Sequence, residues 1–118
     1  MQKNGIGACE ALQLSGLITL TEQGIASRVL AKNASGNLTL FAFDRGQTIS
    51  EHRVPFEAVV IVIEGQVVLT IEGTAVSVGA GDILRMPSGA PHSLEAIESS
   101  KMLLVMLKNV PMVQEAAV

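Results

Sequence analysis

The chain has no tryptophan and no tyrosine, and its aromatic content is three phenylalanines, Phe41, Phe43 and Phe56, in 118 residues. A site that grips a sugar or a flat cofactor by ring stacking is hard to build from that stock. The single cysteine, Cys9, excludes an internal disulfide, and no CxxC pair or Cys/His array is available for a thiolate metal cage. Cys9 reads as an inert residue of the N-terminal segment rather than a nucleophile. Charged residues are scarce, at 16% with a net charge of -3. The eight basic residues are scattered, no two adjacent, so the footprint of a nucleic-acid partner is missing. No apolar run reaches the roughly 20 residues of a membrane helix, and the N-terminus does not pair a basic region with an apolar one. The expectation is a cytoplasmic protein with no membrane partner.

What the chain has in quantity is hydrocarbon: 48% of residues are hydrophobic and the mean hydropathy is +0.45. That excludes a disordered chain, and the length suits one domain with a real core. It also offers more apolar surface than a monomer of this size covers comfortably, which points to a homodimer.

The apolar residues are cut into short β-rich runs. Residues 1–16 mix breakers (Gly5, Gly7) with one potential helical turn at Glu10 to Leu14, and read as a capping segment lying across a barrel or onto a partner. A barrel is expected over 17–109 and a tail over 110–118. Within it, β-rich runs fall at 17–21, 26–32, 38–43, 48–54, 58–63, 66–71, 75–78, 83–86, 93–97 and 102–107, separated by Gly, Asn, Asp and Pro turn signals. Ala58 to Ile63 does not alternate, which predicts a strand covered on both faces. Many short strands without a long helix make the fold all-β, a sandwich or barrel.

One stretch is punctuated more heavily than the rest. Gly81-Asp82 opens a turn, Ile83 to Met86 is a short apolar run, Pro87 ends it, and Gly89 and Pro91 bend the backbone before His92. The chain's other histidine is His52. Histidine's ordinary pKa, about 6.5, suits it to ligation or to proton transfer.

These residues resemble the two short motifs of the cupins, a family of double-stranded β-helix (jelly-roll) barrels. Gly81, Pro87, Gly89 and His92 stand at the spacings of the second motif, with Ala96 where the family has asparagine. Gly46, His52 and Gly65 fit the first, but Val54 and Ala58 occupy its second histidine and glutamate positions. The resemblance implies an RmlC-like jelly roll. In metal-bound members it also implies a divalent ion (iron, manganese, nickel or zinc) held by three histidines and a glutamate, of which this chain keeps two histidines.

Three site readings follow. His52 and His92 share a lumen pocket that binds a small molecule, such as a small organic acid or sugar-derived ligand, or else they are polar residues at the barrel mouth. Glu57, one residue before the family's carboxylate position, joins them as a metal ligand or as a catalytic acid/base partner if a bulge at Pro55 turns it inward; otherwise it is a solvated or dimer-rim carboxylate. Glu51 is a weaker partner. Arg85 reaches the lumen to pair with a ligand's acid group, or snorkels outward to a subunit edge. Met86, Met102 and Met106 read as core or pocket lining. The alternative to a binding protein is therefore an enzyme, either metal-dependent on a small carboxylate or carbohydrate-derived substrate, or a metal-free histidine/carboxylate isomerase.

Overall fold

A computed structural model describes residues 5–108, so the expected tail at 110–118 lies outside the described residues. The strands are β1 (Ile25–Asn33), β2 (Gly36–Phe43), β3 (Thr48–His52), β4 (Glu57–Glu64), β5 (Gln66–Ile71), β6 (Thr74–Gly79), β7 (Ile83–Met86), β8 (His92–Ala96) and β9 (Ser100–Leu107). They form a five-stranded sheet in the order β1-β2-β9-β4-β7 and a four-stranded sheet in the order β3-β8-β5-β6, with every pairing antiparallel. This is an all-β jelly roll.

The pairing has a simple generator. β5 pairs with β6 around the two-residue turn Glu72-Gly73, and then β4 with β7, β3 with β8 and β2 with β9 nest outside it. The chain from Gly36 to Leu107 is thus one long hairpin wound into a barrel. Alternate residues of a strand face opposite sides, so each strand sends one set of side chains into the lumen. Phe43, Val60, Val62 and Met102 from one sheet meet Val67, Leu69, Val78 and Leu94 from the other in a buried core. Phe43, Val60 and Val67 are fully buried there. Removing a side chain the size of Phe43 from such a core costs about 3–5 kcal/mol.

The outer face of the five-stranded sheet has a second, smaller core. Leu14, Leu17 and Ile18 pack on Leu30, Leu40, Ala42, Ile63 and Leu103. Arg28 donates to the Leu17 carbonyl at 3.0 Å and Lys101 to the Ser15 carbonyl at 2.7 Å, which ties the N-terminal segment down. Two expectations are corrected here. The run at 17–21 is not a strand: Leu14–Leu17 is a single 3-10 turn, and Thr21 to Gly24 is a turn closed by the Gly24 amide on the Thr21 carbonyl. Leu17 and Ile18 cover a sheet instead of joining one. The run at 58–63 alternates after all, with Ala58, Val60 and Val62 buried and Val59, Ile61 and Ile63 half-buried. Only Ile63 of that outer set packs on the N-terminal cluster, because the segment crosses only part of the sheet.

Candidate functional site

The two histidines face each other across the β3–β8 pairing, at the same register position. A bulge puts them there. Ile49 pairs with Leu94 and His52 with His92, so two residues of β3 (Ser50 and Glu51) lie against one of β8. Unbroken alternation would have turned Glu51 into the lumen and His52 out of it. On the other strand, the Gly89 bend, at φ 77, and Pro91 set the direction from which His92 enters β8.

The Nε2 atoms of His52 and His92 are 3.1 Å apart. The Nδ1 atom of each ring points at the carbonyl two residues back, Ser50 at 2.9 Å for His52 and Ala90 at 3.0 Å for His92. A carbonyl oxygen only accepts, so each Nδ1 donates to its carbonyl, which leaves the two Nε2 atoms facing each other and the cavity. His92 is buried, whereas His52 sits exposed at the mouth. Behind them lies a cavity of about 190 Å3, lined by hydrocarbon from Phe41, Ile49, Val54, Ala58 and Val60 and by thioethers, with Ser93 the polar exception. Met86 and Met106 are both register partners of Ala58 and flank it in this wall. A wider groove of about 940 Å3 on the outer surface, along Gly5, Ile6, Leu30 to Asn33 and Lys108, is open and brings no reactive groups together. The smaller cavity is the candidate site.

The other expected site residues are elsewhere. Glu57 and Arg85 lie on the opposite face of their strands from Ala58 and Met86, and pair with each other at 2.8 Å. The bulge that would have turned Glu57 inward falls earlier, in β3, and serves His52. Physically the outcome is the cheaper one. An exposed ion pair is worth roughly 0–1 kcal/mol, but a carboxylate in a hydrocarbon-lined lumen carries a desolvation cost of several kcal/mol. The set of His52, His92 and Glu57 is therefore not assembled, and Arg85 does not reach the lumen. Glu51 is exposed and absent from the cavity wall.

These residues do not fit the family's divalent ion. Such ions take three or four protein ligands, whereas the lumen supplies two imidazoles, with Val54 and Ala58 lining it at the other two ligand positions. Among the described residues, no cluster of three or more His, Cys, Asp or Glu side chains could hold a metal. What the sequence did not show was the pair of carbonyl anchors at Ser50 and Ala90, since backbone acceptors leave no residue-type signal.

With this geometry in place, comparison with known proteins gives a consistent answer. A family model described as a cupin domain matches residues 39–108. The chain belongs to the cupin family. Its fold superposes on a conserved Streptococcus pyogenes protein of unknown function at 32% identity and TM-score 0.85, covering 92% of this chain and 95% of the other. A cupin superfamily protein from Desulfitobacterium hafniense follows at 25% identity and TM-score 0.83, covering 91% and 97%. A cupin 2 conserved barrel domain protein from Leptotrichia buccalis is 28% identical at TM-score 0.79, over 82% of this chain and 47% of that one. No curated protein matches.

Proposed function

We propose that this chain is a small-molecule-binding cupin whose lumen receives a small organic acid or sugar-derived ligand at His52 and His92. The observation that carries the reading is the convergence of two imidazole Nε2 atoms, 3.1 Å apart, on an otherwise apolar cavity. A site of about 190 Å3 is below the ~300–1,000 Å3 typical of drug-sized ligands, which restricts the occupant to a small molecule. The enzyme alternative lacks a partner for its histidines. None of the lining residues carries a carboxylate, and Glu57 is engaged with Arg85.

The test is thermal stability of the purified protein against a panel of small acids and sugar acids, with elemental analysis of the same sample. A ligand present at 100 times its Kd stabilises the fold by about 2.7 kcal/mol. The expected result is a raised Tm with at least one panel member, abolished in a His52→Ala, His92→Ala double variant. Stoichiometric iron, manganese, nickel or zinc that disappears in that variant would overturn the reading in favour of a metal-dependent enzyme.

A further inference from the structure

Going beyond the reading above, we infer that the lumen is also a site for a soft monovalent cation, Cu(I), held by the Nε2 atoms of His52 and His92 and the thioether sulfurs of Met86 and Met106. All four side chains line the same cavity. Each Nδ1 is engaged with a backbone carbonyl, so the ring atoms left to the cavity are the two Nε2. Their separation of 3.1 Å suits one shared ion. At the ~2.0–2.1 Å of a metal–imidazole bond, an ion touching both nitrogens would see them about 100° apart, close to a tetrahedral angle.

The sulfurs come from the opposite sheet. Met86 of β7 and Met106 of β9 are the two register partners of Ala58 in β4, so they flank the position where metal-bound cupins carry their glutamate. Alanine puts only a methyl group there, and the space a carboxylate would fill is left to two long, flexible thioethers. Met106 is steadied by Asn37 of β2, whose Nδ2 donates to its sulfur at 3.9 Å, and a thioether has a second lone pair for a metal. Met102 lines the cavity too, but it stands four residues before Met106 in β9, a distance of about 13 Å along the strand. Paired with Phe41 and Val62, it belongs to a different part of the wall.

The chemistry of this donor set decides the ion. Four neutral donors leave the whole charge of the ion uncompensated, in a wall otherwise made largely of hydrocarbon such as Phe41, Ile49, Val54 and Leu104. No carboxylate balances it, since Glu57 pairs with Arg85 on the outer face and Glu51 and Glu95 are exposed. The cost of burying an ion grows with the square of its charge, so a monovalent ion is tolerated where a divalent one is not. Thioethers are soft ligands that select Cu(I), whereas iron, manganese and zinc draw on carboxylate, thiolate or further imidazole. An apolar shell also keeps out the water that would favour Cu(II). Cu(I) and the organic ligand meet the same two nitrogens, so each excludes the other.

The experiment is anaerobic titration of the full chain with Cu(I) against the chromogenic chelator bicinchoninate. It is run on a Cys9→Ser background, because the exposed Cys9 thiol would itself take the ion. The expected result is one Cu(I) per chain, not displaced by about a tenfold excess of Zn2+. X-ray absorption at the copper edge should show nitrogen neighbours and, at about 2.3 Å, sulfur neighbours. A Met86→Leu, Met106→Leu double variant nearly conserves volume. It should fold, lose the sulfur signal and bind Cu(I) at least tenfold more weakly.

Absence of binding, a copper shell of nitrogen and oxygen alone, displacement by Zn2+, or undiminished affinity in the folded double variant each overturns the inference. So does a loss of binding produced by Met102→Leu but not by the double variant. If the double variant does not fold, the sulfur signal of the unaltered lumen decides alone. The Tm panel of small acids is run without copper, so the organic-ligand reading stands or falls separately.

Discussion

Single side chains decide this site by the direction in which they are turned. Glu57 and Ala58 are neighbours in β4, yet one carries an ion pair at the surface and the other forms part of the lumen wall. Asp44 shows the same economy in a structural role. It follows β2, and its carboxylate accepts from the Gln23 amide at 2.6 Å, the Arg45 amide at 2.9 Å and the Ser99 hydroxyl at 3.0 Å. One side chain thus joins the turn before β1, the β2–β3 turn and the β8–β9 turn. The Gln23 amide above all, then the Ser99 hydroxyl and the Arg45 amide, hold its carboxyl below the ordinary value of 3.8, against a small opposing effect of burial. A carboxyl whose pKa is lower folded than unfolded contributes stability that is present above the unfolded value and is lost as pH falls through the folded one. Urea unfolding of the wild type should therefore show stability falling below about pH 4. An Asp44→Asn variant should be less stable at neutral pH and flatter through that acid window. Parallel pH profiles for the two proteins would show that Asp44 does not carry this dependence.

At the level of strands, the turn that generates the nested pairing holds a non-glycine residue, Glu72, in the left-handed region. Glu72 and Gly73 sit at φ 51 and φ 81, the two positive values of a type I′ hairpin turn. Glycine adopts this freely, whereas an ordinary L-residue there costs roughly 1–2 kcal/mol. The Glu72 side chain is exposed, and the hydrogen bond that its backbone N–H donates to the Pro91 carbonyl, at 2.9 Å, does not depend on it. Glu72→Asn should therefore stabilise the fold by about 0.5–1 kcal/mol, read as a rise of a few degrees in Tm. A fall in Tm would mean that the glutamate makes a contact the turn needs. Gly65, at the β4–β5 turn, has no such latitude. It is at φ 82, and a Cβ there would collide with the Ser99 carbonyl and the Ser100 hydroxyl. The same generator explains what was legible beforehand. His52 and His92 stand at equal sequence distance on either side of Glu72, so a hairpin turning at Glu72-Gly73 brings β3 and β8 together, and the bulge in β3 completes the register that sets the two rings opposite each other. The turn residues and β-rich runs carried that much of the fold. The bulge at Ser50-Glu51 was not legible, because a one-residue slip changes which side chain faces inward without changing composition. Nor was the fate of Leu17 to Leu20, whose apolar pattern suits a sheet-covering segment as well as a strand.

On the scale of the whole molecule, the five-stranded sheet is covered unevenly, and this gives the excess of hydrocarbon a location. The N-terminal segment shields Leu30, Leu40, Ala42 and Leu103, but Val59 and Ile61 of β4, Val105 of β9 and Ile83 of β7 share that outer face without appearing in its core. Ile83 is 67% exposed on a four-residue edge strand. Beside this patch lie Glu57 and Arg85, one charge of each sign. A second copy related by a two-fold axis is the occupant this surface suits. Apolar residues would meet their own counterparts, and each Arg85 could exchange its Glu57 for that of the partner copy, satisfying both charges symmetrically. Light scattering should thus give a dimer mass at tens of micromolar. Ile83→Glu enters a two-fold interface twice, and losing the burial of an isoleucine costs about 1.5–3 kcal/mol each time. The dimer should consequently weaken by at least about a hundredfold, while the Tm measured at concentrations where the wild type is already dissociated stays unchanged. A wild-type protein that is monomeric throughout this range, or an Ile83→Glu variant that remains dimeric, would show that the exposed sheet face is not where two copies meet.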